Sequence, residues 1–133
     1  MTLDPWGTIQ ALADTFDATD ADKGMTREER WTLQVLKIGE EFGEAAQAVI
    51  GVRGTNPRKG TSHTWEDVHD EVADVIITGM VALARMRPDA ASFLAGQLQA
   101  KSSKFLSARP AEQPDHPYET ARMKAADALP EEA

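Results

Sequence analysis

Apolar residues recur along this chain at steps of three and four, with no stretch of strict alternation, so the pattern predicts helices and no strand. The first helix opens with Asp4 as N-cap and Pro5 at the first helical position, where a missing N–H costs nothing. It carries Ile9, Leu12, Ala13 and Phe16, and the polar run 17–24 then reads as a loop. The second helix opens at Thr26, because Thr26-Arg27-Glu28-Glu29 fits a capping box. Its apolar stripe is Trp31, Val35, Ile38, Phe42, Ala45 and Val49, and it ends near Gly51. The segment 51–64, with three glycines and one proline, reads as a loop. Thr64-Trp65-Glu66-Asp67 opens a third helix, whose face is Val68, Val72, Val75, Ile76, Met80 and Leu83. Pro88 ends it or opens a fourth, which carries Ala91, Phe93, Leu94, Leu98 and Phe105. The pattern thus places one helical domain over 1–109 and a proline-containing tail over 110–133, with room for a short helix over 118–129.

Two clusters of acid interrupt these apolar patterns. One is Glu40, Glu41 and Glu44; the other is Glu71 and Asp74. At about 100° per residue, Glu41 lies about 60° and Glu44 about 120° to one side of Ile38, and Lys37 and Glu40 share that flank. Glu71 and Asp74, three apart, are neighbours on one face of the third helix. If the two helices run antiparallel, the acid pairs face each other across one seam. Carboxylates so close cannot all stay ionised without cations. Hard oxygen donors in this number, with no cysteine and three histidines, select Mg²⁺ or Mn²⁺ and point to phosphate chemistry. The bland alternative is a solvated acidic helix face; the conjunction of two pairs beside apolar stripes on successive helices, with a basic glycine-rich loop between, argues against it.

Composition narrows the field. The chain has 133 residues, is 41% hydrophobic, and carries 22 acids against 14 bases for a net charge of −8, which disfavours a nucleic-acid polymer as partner but not a single nucleotide whose charge a metal can neutralise. The absence of cysteine excludes disulfides and thiolate zinc sites and fits the cytoplasm. No basic segment followed by an apolar one opens the chain, and no apolar run is long enough to span a bilayer, so neither a signal peptide nor a membrane is expected. A P-loop NTPase is excluded because no Gly-x-x-x-x-Gly-Lys occurs. His69 follows Glu66 by three, but a di-iron bundle needs that pair twice.

The run Lys37-Ile38-Gly39-Glu40-Glu41-Phe42-Gly43-Glu44, a 26-residue spacer and Glu71-Val72-Ala73-Asp74 together resemble the MazG-like, all-α nucleoside triphosphate pyrophosphohydrolase superfamily, whose motif is Glu-Glu-x-x-Glu followed by Glu-x-x-Asp. The resemblance covers about residues 27–109. It implies an all-α bundle of four to five helices completed by pairing of subunits into a homodimer or homotetramer, and Mg²⁺-dependent cleavage between the α- and β-phosphates of a nucleoside triphosphate. It also implies Glu41, Glu44, Glu71 and Asp74 as metal ligands, with Glu40 on a further ion or on the attacking water. Lys37 either contacts phosphate or balances the acids. Lys101 and Lys104 in Lys101-Ser102-Ser103-Lys104 are candidate phosphate contacts or a solvated basic helix end. Trp31 and Trp65 are core or base-stacking aromatics. Arg53, Arg58 and Lys59 close over the triphosphate or stay solvated. Ile50, Val52, Ile77 and Val81 suit a subunit interface. The rival within the same fold is a catalytically inactive bundle that binds a nucleotide or a protein.

Overall fold

The computed structural model describes residues 4–107. They form four helices and no strand: α1 (Pro5–Asp22), α2 (Arg27–Arg53), α3 (Trp65–Met86) and α4 (Ala90–Leu106). The proposed short helix over 118–129 and the tail lie outside the described residues. The chain divides into two compact units, Met1–Ala95 and Gly96–Ala133. No helix among the described residues is long and apolar enough to cross a membrane.

Local signals place the helix starts. Thr26 accepts from the Glu29 N–H while the Glu29 carboxylate accepts from the Thr26 N–H, and Thr64 and Asp67 make the same reciprocal pair at the start of α3. Pro5 stands at the start of α1 as expected, although the Asp4 side chain makes no capping hydrogen bond. Helix α2 runs past Gly51 to Arg53 and stops at Gly54, whose φ of 63° is the left-handed conformation that glycine adopts without strain.

Two expectations need correction. The run 17–24 is not a loop: α1 continues to Asp22. The reason is tertiary. Arg85 of α3, with its side chain 4% exposed, donates to Asp17 Oδ1 at 3.0 Å and to Asp20 Oδ2 at 2.6 Å, so the last turn of α1 is held by ion pairs that local polarity does not reveal. Arg85 also donates to Gln34 Oε1 of α2 at 2.7 Å, and Arg30 of α2 reaches Asp17 Oδ1 at 3.5 Å. One guanidinium therefore ties three helices together.

The second correction concerns which faces are covered. Within the first unit α3 packs against both α2 and α1. Its contact with α1 makes a small apolar core of Ile9, Ala13, Val81, Ala84 and Ala90, so Val81 is core rather than a free interface residue. Helices α2 and α3 are antiparallel: Trp31 bonds Arg85, Gln34 bonds Thr78, and near the other end Ser62 bonds Gly51. The buried residues of α2 are Gln34, Glu41, Ala45, Ala48 and Gly51. Of the apolar stripe expected as core, only Ala45 is buried; Val35, Phe42 and Val49 are exposed, Phe42 at 66%. On α3, Val68 is buried whereas Val72 and Ile76 are exposed. Phe42, Val49, Val68, Val72 and Ile76 border one apolar groove of about 480 Å³ between the helices. Ile50 and Ile77 are exposed as expected, and Val52 is half-buried.

Removing the central cation tests this architecture. Arg85→Ala leaves Asp20 without its partner and Asp17 with only the longer contact to Arg30, and is expected to lower stability by about 3 kcal/mol. Urea unfolding checks it: the midpoint falls with the slope unchanged, whereas a loss below about 1 kcal/mol would place the network among ordinary surface ion pairs.

Candidate metal centre

The site is built on the α2–α3 seam. The seam side of α2 carries Ala45 and Ala48, so the two backbones approach closely and short acidic side chains meet across the interface. Glu41, one turn before Ala45, is buried at 8% exposure and points into that seam. Glu44 lies three residues on and is exposed; Glu71, opposite on α3, is half-buried. Each of these three glutamates offers an oxygen, and the three oxygens lie within 4.8 Å of one another. Octahedral Mg²⁺ places its oxygens about 3–4 Å apart. The three side chains are thus a small rotation away from a shared ion, which would keep further positions for water or phosphate oxygens.

The electrostatics favour a cation. Burial pushes the Glu71 carboxyl above its ordinary value, and the charges of Glu44, Asp74, Glu41 and Asp70 push it further the same way. Lys37 already supplies one positive charge: its ammonium lies 3.0 Å from Glu40 Oε2 and 2.9 Å from Glu41 Oε1. Hydrogen bonds to Glu41 and Glu40 hold the Lys37 ammonium protonated well above the usual lysine range. That pairing assigns Lys37 to charge balance in this conformation, and it leaves Glu44 and Glu71 without a cation among the described residues.

The other expected residues are arranged differently. Asp74 is exposed one turn beyond Glu71; its charge reaches Glu71, but its oxygens are not among the convergent three. Glu40 is exposed and bound to Lys37, also outside the convergent set. Trp31 is ten residues before Glu41, about 15 Å away along the helix axis. Its indole N–H donates to the Arg85 carbonyl at 3.0 Å, and the Arg27 guanidinium covers its ring at 5.0 Å, so it serves the joint between α2 and α3. Lys101 and Lys104 are exposed on the part of α4 that belongs to the second unit. Asp70, which sequence reasoning passed over, contributes to the field on Glu71; the Asp70-Glu71 doublet was the available signal. His69 pairs only with Glu66, at 3.6 Å, and takes no part in the cluster.

Compared with known proteins, the chain matches no protein-family model, no curated protein and no solved structure.

Like-charge crowding makes a signed prediction. A carboxyl whose folded pKa is raised binds its proton more tightly in the native state, so its contribution to stability is lost as pH rises through the interval above the ordinary value of 4.5. Without divalent cations, Glu71→Gln is therefore expected to melt above the parent protein at pH 7, with the difference shrinking towards pH 4. With Mg²⁺ the order reverses, because the parent gains from binding and the variant does not. Thermal melts in EDTA and in Mg²⁺ check both arms; a variant that melts below the parent in EDTA would contradict the crowding.

Proposed function

We propose that this chain is a Mg²⁺-dependent nucleoside triphosphate pyrophosphohydrolase that yields the monophosphate and pyrophosphate. The observation that carries the reading is the convergence of Glu41, Glu44 and Glu71 on one point of the seam. The donor set fits the ion: three carboxylate oxygens and no nitrogen or sulfur suit a hard divalent cation, and three ligands leave room for substrate. The resemblance of the Glu-Glu-x-x-Glu and Glu-x-x-Asp segments supplies the reaction class.

In this reading Glu41 and Glu44 of α2 and Glu71 of α3 would hold the cation, with Asp74 as the further ligand that the resemblance implies. A bound Mg²⁺ neutralises phosphate charge and lowers the pKa of water in its coordination sphere. Glu40, exposed at the rim, is the group available to orient water once Lys37 turns towards a phosphate. What supports that exchange is that Lys37 bridges Glu41, one of the convergent acids, and Glu40 beside it. Lys101 and Lys104 are the candidate phosphate contacts that the resemblance suggests. The reaction belongs to nucleotide-pool maintenance in the cytoplasm, with Mn²⁺ as an alternative ion.

Self-association belongs to the same proposal. Phe42 and Val49 of the α2 stripe are exposed, and with Ile50, Val72 and Ile76 they line one apolar groove. Surface of this kind is covered in functional proteins. A second copy of the hairpin, packing its α2–α3 face on the first, would complete a four-helix bundle. The second reading, a nucleotide- or protein-binding bundle without turnover, draws its support from Lys37, which supplies Glu41 with an internal cation.

Two measurements test these statements. Pyrophosphate release from a panel of natural and modified nucleoside triphosphates is expected with Mg²⁺ and absent in EDTA. Glu41→Gln should lower it by about 100-fold or more, since even residues behind metal ligands cost 10–100-fold. No release with Mg²⁺ or Mn²⁺ would favour the binding module. In sedimentation, the parent chain is expected as a dimer or tetramer and Phe42→Asp as a smaller species; a monomeric parent would sink the pairing.

A further inference from the structure

The loop between α2 and α3 reverses the character of the chain. The 21 residues between Glu44 and Glu66 carry Arg53, Arg58 and Lys59 and not one acid, in a protein of net charge −8. None of these three cations has an ion-pair partner among the described residues.

The loop is folded back onto the end of α2. The Ser62 N–H donates to the Gly51 carbonyl at 3.0 Å, and the Gly60 N–H to the Asn56 carbonyl at 2.9 Å. Gly51 is required by the close approach: a Cβ there would collide with His63 Nδ1 and stand 2.8 Å from Ser62 Oγ. Between loop and helix lies a cavity of about 290 Å³, lined by Gln47, Ile50, Asn56, Lys59, Ser62 and His63, with Gly51 at its wall. Its rim offers one ammonium, two carboxamides, a hydroxyl and an imidazole, and no carboxylate. That is a donor-rich pocket suited to a small anion with several oxygens.

Its position relates it to the acids. Gly51 projects within about 20° of the Glu44 direction, and Gln47 within about 60°. Gln47 lies about 4.5 Å and Gly51 about 10.5 Å further along the same helix. The cavity is therefore at the hairpin end of the seam that holds Glu41, Glu44 and Glu71, on the flank of α2 that Glu44 occupies.

We propose that this cavity is a phosphate-binding site that takes the terminal, leaving phosphates of a polyphosphate substrate. The assignment to substrate rests on the pyrophosphohydrolase reading; the affinity for phosphate does not. Lys59 and the carboxamides of Gln47 and Asn56 hold the non-bridging oxygens, and His63 adds an Nε2–H donor when its Nδ1 accepts from the Ser62 hydroxyl or the ring is charged. The acid seam grips the cation-bound end of the chain, and the basic cavity grips the far end. The charge reversal along the loop then sets the direction in which the triphosphate lies.

Calorimetric titration with inorganic pyrophosphate in EDTA, where the acid seam takes no part, tests the site. The parent chain is expected to bind, and Lys59→Gln to bind about tenfold more weakly. Lys23→Gln, a lysine far along the chain from the cavity, controls for bulk charge and should match the parent. In NMR, the His63 ring signals should move with pyrophosphate while those of His69 stay. No binding by the parent, or equal weakening in Lys59→Gln and Lys23→Gln, would overturn the site. The two proposals fail separately: pyrophosphate binding lost in Lys59→Gln but without turnover of any triphosphate keeps the cavity and removes the hydrolase. Turnover with KM unaltered in Lys59→Gln does the reverse.

Discussion

The close approach of α2 and α3 is the constraint on which the rest depends. Ala45 and Ala48 face α3, and Gly51 ends the row against the returning loop. Small residues let two helices pack near the lower end of the usual separation. Only at that separation do Glu41 and Glu44 on one helix and Glu71 on the other share a point within 4.8 Å. The same closeness buries Glu71 and brings the charges of Glu44 and Glu41 to bear on it, both of which raise its carboxyl. Larger side chains in place of the alanines would bury more apolar surface and hold the acids apart.

Helix α2 consequently works on several faces at once. Its seam side is small and acidic, one flank carries Lys37 and Glu44, and the opposite flank is the apolar stripe of Val35, Phe42 and Val49. Near its N-terminus Arg30 and Gln34 join the Arg85 network that anchors α1. Holding the two helices in register takes more than their small apolar contact. The hydrogen bonds of Arg85 to Gln34 and of Trp31 to the Arg85 carbonyl fix one end, and the hydrogen bonds of the folded loop fix the other. The acids sit between these two clamps.

Much of this was legible in the residues. Capping boxes at Thr26 and Thr64 placed the two central helices, because caps are local chemistry. The antiparallel meeting of Glu41 and Glu44 with Glu71 followed from their place beside apolar patterns. The extension of α1 was not legible from local polarity, because the ion pairs that hold it come from 65 and 68 residues away. The stripe of α2 was read correctly as apolar, but periodicity reports a face that needs cover, not what covers it, and only Ala45 of the stripe is buried. Arg85, within the apolar run of α3, was the visible hint that Asp17 and Asp20 had a partner.

The central claim is that three glutamates from two helices make one divalent-cation site. Paramagnetic broadening by Mn²⁺ in a backbone amide NMR spectrum tests it directly, since the effect falls steeply with distance from the ion. The account predicts that substoichiometric Mn²⁺ erases signals around residues 41–44 and 71–74 together, before any others, and that excess Mg²⁺ restores them. Broadening that begins around Asp17 and Asp20, or spreads evenly over the acidic surface, would contradict it.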